Sequence, residues 1–117
     1  MKILAVDSNP DELTEIELAL RKVFPSSTVF AFRDGLSAVK FGYTNRVDAI
    51  LTARELSRLS GLEVVRMLKP KQAPGLPMVI LGSDEKYRQL AKTMHATEYL
   101  IKPFTAESLR AALGPRA

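Results

Sequence analysis

The sequence predicts an α/β fold: a doubly wound parallel sheet of five strands with helices on both faces. Two observations carry that prediction. Five short apolar runs recur along the chain, and capped amphipathic segments separate each run from the next. Runs that are apolar without alternation suit strands buried on both faces, and strand–helix alternation throughout implies right-handed crossovers between parallel neighbours. The 117 residues, 46% hydrophobic and 26% charged, suit one domain over 1–117. No internal repeat or linker divides them.

The first strand is Ile3-Leu4-Ala5-Val6. Asn9-Pro10-Asp11-Glu12 then starts a helix, with Asn9 as N-cap, Pro10 at the first position and Glu12 placed as in a capping box. Leu13, Ile16, Leu20 and Val23 mark its buried face before Pro25 ends it. Val29-Phe30-Ala31-Phe32 is the second strand, and Asp34-Gly35 opens a weaker helix carrying Ala38, Val39 and Phe41. Ala49-Ile50-Leu51 is the third strand. Gly61 opens a helix with Leu62, Val65 and Leu68 inward, stopped by Pro70. The Pro-rich stretch 69–77 is a loop before the fourth strand, Met78-Val79-Ile80-Leu81. Ser83 or Asp84 caps a fourth helix through Tyr87, Leu90, Ala91 and Met94. Tyr99-Leu100-Ile101 is the fifth strand. Thr105 caps a fifth helix through Leu109 and Leu113, and its early end at Gly114-Pro115-Arg116-Ala117 suggests a trimmed chain or a linker to an output domain.

The charge is uneven. Residues 1–50 hold six basic and seven acidic side chains, whereas residues 51–117 hold eleven and six, which gives the net +4. The basic residues are scattered, as on a solvated surface, so a nucleic-acid role would run through an output domain. The chain has no cysteine, which excludes disulfides and thiolate chemistry and suits a cytoplasmic setting. Its apolar runs fall far short of the ~20 residues of a membrane helix, and no signal peptide opens it.

In a doubly wound sheet, sites form at the carboxyl ends of the strands. No Gly-rich phosphate loop follows the first strand, so nucleotide sites are not expected. His95, the only histidine, lies in a helix-to-strand turn, away from any nucleophile.

The order Val6-Asp7-x-Asn9-Pro10, Asp48-Ala49-Ile50-Leu51, Ser60-Gly61-Leu62-Glu63, Pro77-Met78-Val79-Ile80-Leu81 and Tyr99-Leu100-Ile101-Lys102-Pro103-Phe104 resembles the receiver domain of bacterial response regulators, the CheY-like family. The resemblance spans essentially the whole chain. It implies a flavodoxin-like three-layer (βα)5 sandwich with strand order 2-1-3-4-5, and a role in two-component signalling.

In that family an Asp at the end of the third strand accepts a phosphoryl group. An acidic pair after the first strand and a backbone carbonyl two residues past the acceptor help bind Mg²⁺, and a Ser or Thr and a Lys contact the phosphoryl oxygens. Matched position by position, Asp7 and Lys102 agree and the carbonyl of Glu55 stands in the metal-binding place. The second acid falls on Ser8, the acceptor on Ala53 and the Ser/Thr on Gly82. Alanine offers no nucleophile, and one carboxylate is a poor set of ligands for Mg²⁺. The expectation is a receiver that acts without phosphorylation, with no catalytic residue, no cofactor, weak or absent Mg²⁺ and Asp7 as a vestigial ligand. Asp7 and Lys102 are expected to pair, which would nearly cancel the pocket's charge. The competing readings are a receiver phosphorylated at a rearranged site and a basic nucleic-acid-binding module.

The resemblance also makes Tyr99 the family's aromatic switch residue, with its rotamer left open. It places an interaction face on the fourth helix, fifth strand and fifth helix, carrying Lys86, Arg88, Lys92, Tyr99 and Arg110. The expected partners are an output domain, a kinase, another receiver or a second copy of the chain. His95 stands where the family has Gly, a place for positive φ.

Overall fold

The computed structural model describes residues 1–114. Strands β1 (Lys2–Val6), β2 (Thr28–Phe32), β3 (Ala49–Ala53), β4 (Met78–Gly82) and β5 (Glu98–Ile101) alternate with helices α1 (Pro10–Val23), α2 (Gly35–Thr44), α3 (Gly61–Leu68), α4 (Arg88–Thr93) and α5 (Ala106–Leu113). All strand pairs are parallel and the order is β2-β1-β3-β4-β5. The flavodoxin-like expectation holds.

Side-chain alternation along the strands builds two cores. Ile3, Ala5, Ala49, Leu51, Val79 and Leu81 pack with Leu13, Ile16 and Leu20 of α1 and Leu109 and Leu113 of α5. Leu4, Val6, Ile50, Met78, Ile80 and Tyr99 pack with residues of α2, α3 and α4 on the other face. The middle strands β3 and β4 are buried along their whole length, whereas β2, at the sheet edge, is only half-buried. Each fully buried Leu or Ile contributes about 2 kcal/mol of transfer free energy.

The caps are largely those the sequence predicts. Asn9 accepts from the N–H groups of Asp11 and Glu12, Asp34 caps α2, Ser60 caps α3, and Thr105 with Ser108 forms a reciprocal box on α5. The box expected of Glu12 does not form, because the Asn9 N–H is already taken by Asp7 Oδ1 at 3.0 Å. Pro70 does not stop α3 by itself; the chain tightens into a 3₁₀ turn over Lys69–Lys71, which accommodates a proline near its start. The fourth helix is shorter than predicted. Asp84 caps a 3₁₀ turn over Glu85–Tyr87, α4 then covers six residues, and Ala91 rather than Leu90 faces the core. His95 follows α4 with φ 78°, the positive value expected of its turn. Of the terminal segment singled out by sequence, Gly114 caps α5, and Pro115, Arg116 and Ala117 lie outside the described residues.

Candidate functional site

The strand ends bring Asp7, Ser8, Ala53, Gly82 and Lys102 to one edge of the sheet. Asp7 follows β1 and is 2% exposed. Its Oδ1 accepts from Asn9 N–H, and its Oδ2 accepts from Lys102 Nζ at 3.3 Å. The expected pair therefore forms. Glu12, which the sequence reading used only as a capping residue, joins it: Lys102 Nζ donates to Glu12 Oε1 at 2.6 Å. Two carboxylates thus face one ammonium, so the cluster keeps a negative charge rather than cancelling. Burial disfavours the Lys102 ammonium. The hydrogen bond to Glu12 and the charges of Asp7 and Glu12 outweigh it and hold the amine above its ordinary pKa of 10.5. Beside the cluster, a cleft of about 520 Å³ opens between α1 and the β5–α5 turn, walled by Glu15, Ile16, Leu18, Pro103 and Phe104.

Ser8 turns its hydroxyl to the β3–α3 loop. It accepts from Ser57 N–H at 2.8 Å and lies 3.1 Å from Ser57 Oγ. The same loop is held from α2 by Asp34, whose carboxylate accepts from Ser37 N–H and Oγ and from Arg58 Nη2 at 2.9 Å. The backbone bond from Ser37, then the bonds to Arg58 and the Ser37 hydroxyl, pull the Asp34 pKa down to about 2. Between these fastenings Arg58 and Leu59 adopt φ of 53° and 99°, a local strain that the surrounding bonds maintain.

Ala53 closes β3 and is 1% exposed. Glu55, two residues on, points its carboxylate into solvent at 78% exposure. Gly82 ends β4 directly over Tyr99: a methyl group at Gly82 would lie 2.1 Å from the Tyr99 hydroxyl and 2.8 Å from the ring carbon that bears it. Gly82 is therefore the space Tyr99 occupies. The Tyr99 ring is completely buried, and its hydroxyl donates to the Asp84 carbonyl at 2.7 Å. Burial pushes its phenol above the ordinary value of 10.0.

That inward rotamer corrects the interaction face read from the sequence. Tyr99 lies beneath it, because the missing side chain at position 82 leaves room for the ring. Lys86, Lys92 and Arg110 are exposed as expected, while Arg88 is half-buried. Its guanidinium donates to the Tyr99 carbonyl at 2.7 Å and pairs with Glu85.

The geometry is that of a known family. The profile of the response regulator receiver domain matches residues 3–114. The chain belongs to the response regulator receiver family. Its fold superposes on a response regulator receiver domain protein from Clostridium thermocellum with a TM-score of 0.83 and 28% identity, covering 95% of this chain and 89% of that one. Among curated relatives, the receiver is 31% identical to the response regulator MprA of Mycobacterium leprae over 97% of this chain and 49% of that protein. It is 29% identical to the cyclic di-GMP phosphodiesterase response regulator RpfG of Xanthomonas campestris pv. campestris over 95% of this chain and 30% of that protein. The receiver thus spans 30% of the length of one of these relatives and 49% of the other. Among the described residues, no helix is long and apolar enough to cross a membrane.

Proposed function

We propose that this receiver signals as a phosphorylation-independent protein-interaction module, without catalysing a reaction of its own and in the cytoplasm. The observation that carries the reading is Ala53: the acceptor position holds a buried methyl group, and an acyl phosphate needs a carboxylate oxygen. The neighbourhood supports it. Mg²⁺ takes several hard oxygens in near-octahedral array. Here Asp7 has both oxygens engaged, Ser8 is engaged with Ser57, and Lys102 places its ammonium against the carboxylates a metal would need. This donor set does not suit Mg²⁺. Gly82 has no hydroxyl to offer a phosphoryl oxygen.

The interaction face is then set by packing rather than by a covalent signal. Lys86, Lys92 and Arg110 are exposed cations on the turn before α4, on α4 and on α5, which suits a partner with an acidic surface, whether an output domain, a kinase, another receiver or a second copy. The test is incubation with acetyl phosphate and Mg²⁺ followed by intact-mass measurement. The unmodified mass is expected, and a stoichiometric phosphoryl adduct on an aspartate overturns the reading.

A further inference from the structure

Arg54, the residue after Ala53, is absent from the family's set of phosphorylation groups, yet its side chain is only 16% exposed. Its backbone is locked on both sides: its N–H donates to the Leu81 carbonyl at 2.7 Å and its carbonyl accepts from Gly61 N–H at 2.8 Å. The side chain leaves the sheet on the face of Tyr99. Its guanidinium carbon lies 3.8 Å from the centre of the Tyr87 ring, in the turn that leads into α4. Its Nε is fully buried without a hydrogen-bond partner among the described residues. Its ion pair with the exposed Glu55 is long, at 3.5 Å. A buried N–H left unpaired is costly, and contact with the Tyr87 ring offsets that cost.

We infer that Arg54 is a positioning residue: a built-in cation that joins the end of β3 to Tyr87 and holds Tyr99 buried beneath α4. Two elements meet at this one side chain, and a third is tied to the second. β3 supplies its rigid base, the turn before α4 supplies the aromatic platform, and Tyr99 of β5, lying where Gly82 leaves room, is hydrogen-bonded to Asp84 at the head of that turn. Its charge also works on the phenol, drawing the Tyr99 pKa back down against the burial that raises it. The geometric link to Tyr99 runs through the turn itself: the Tyr99 hydroxyl donates to the carbonyl of Asp84, the residue that caps the turn carrying Tyr87. The meaning of this pin for signalling rests on the phosphorylation-independent reading; the pin itself does not.

Peptide-resolved nitration of the tyrosines by tetranitromethane tests it. Tyr43, 46% exposed, serves as the internal reference. In the unsubstituted chain Tyr99 nitrates at least about tenfold more slowly than Tyr43, since reaction requires local opening. Arg54→Met keeps an apolar chain of similar length and removes the cation; it is expected to raise Tyr99 nitration relative to Tyr43 several-fold, with Arg54→Lys intermediate. Leu113→Ala, on the opposite face of the sheet, controls for general loosening. An unchanged Tyr99 to Tyr43 ratio in folded Arg54→Met overturns the inference, and so does an equal rise in Leu113→Ala. If Arg54→Met does not fold, Tyr87→Leu removes the platform instead and is read by the same two outcomes. A phosphoryl adduct on the unsubstituted chain would sink the functional reading whatever the nitration shows.

Discussion

Replacing Lys102 by Met strands the buried Asp7 carboxylate, and the structure indicates what that costs. The side chains of Asp7, Lys102 and Glu12 are 3%, 24% and 41% exposed. Losing the contact with the half-exposed Glu12 costs roughly 0.5 kcal/mol, as for other solvated pairs. Stranding one partner of a buried pair costs about 3–5 kcal/mol, and the Asn9 N–H that Asp7 keeps places this case near the lower end. The expected loss is about 3 kcal/mol from a total on the order of 5–15, or roughly 10 °C in Tm for a chain of this size. Urea unfolding followed by circular dichroism measures it. Asp7→Asn keeps an acceptor for Asn9 N–H and removes the stranded charge, so the double variant Asp7→Asn, Lys102→Met should recover about 1–2 kcal/mol. If the two single effects add to within about 0.5 kcal/mol, Asp7 and Lys102 do not interact and the reasoning fails.

The same cluster has a pH signature: because the Lys102 pKa is raised in the folded chain, its contribution is complete at neutral pH. It fades only above about pH 10.5, so the stability gap between the unsubstituted chain and Lys102→Met should be flat from pH 7 to 10 and close beyond that in an alkaline titration. Asp34 behaves in the opposite sense, its depressed pKa of about 2 giving stability that is present above about pH 4 and lost as the pH falls through 2. Asp34→Asn should flatten that acid limb in melts taken from pH 5 to 2. Gly82→Ala should destabilise by about 1–3 kcal/mol through overpacking against Tyr99, and most of that cost should vanish in Gly82→Ala, Tyr99→Leu. His95→Gly relieves a positive φ and should raise the Tm by a few degrees, whereas His95→Val should lower it. Melts with and without millimolar Mg²⁺ should coincide.

The sheet was legible because strands buried on both faces cannot alternate, so Ile3–Val6 and Met78–Leu81 announce themselves by composition. Helix starts were legible because orphan N–H groups demand a particular short list of caps, met here by Asn9, Asp34 and Thr105. What escaped was long-range and conformational. Glu12 satisfied a local rule so well that nothing pointed to Lys102, 90 residues away. Leu90 fitted a helical stripe that the leading 3₁₀ turn rotated out of register. Arg54 carried no cue at all, since Tyr87, the ring it stacks on, lies 33 residues away and reaches it only once β3 and β4 are side by side. The inward Tyr99 had a readable signal in Gly82: a missing side chain beside an aromatic residue on the next strand marks a place where the ring can enter.

The Lys102 cluster also bears on the order in which the chain is made. Asp7 and Glu12 leave the ribosome first, and the ammonium they require lies 95 and 90 residues behind them. Throughout synthesis the β1–α1 corner carries two uncompensated carboxylates, one destined for burial, so that corner is electrostatically unfinished until the last strand has emerged. The nascent chain can pair β1 with β2 and β3 early, because those contacts are apolar, yet the turn into α1 has reason to stay open and hydrated. Arrival of β5 closes the sheet and delivers the counter-charge in one event. A ribosome-bound fragment ending before residue 102 should therefore show protected β1 amides with an exchanging α1 amino terminus, a split that disappears once Lys102 is exposed.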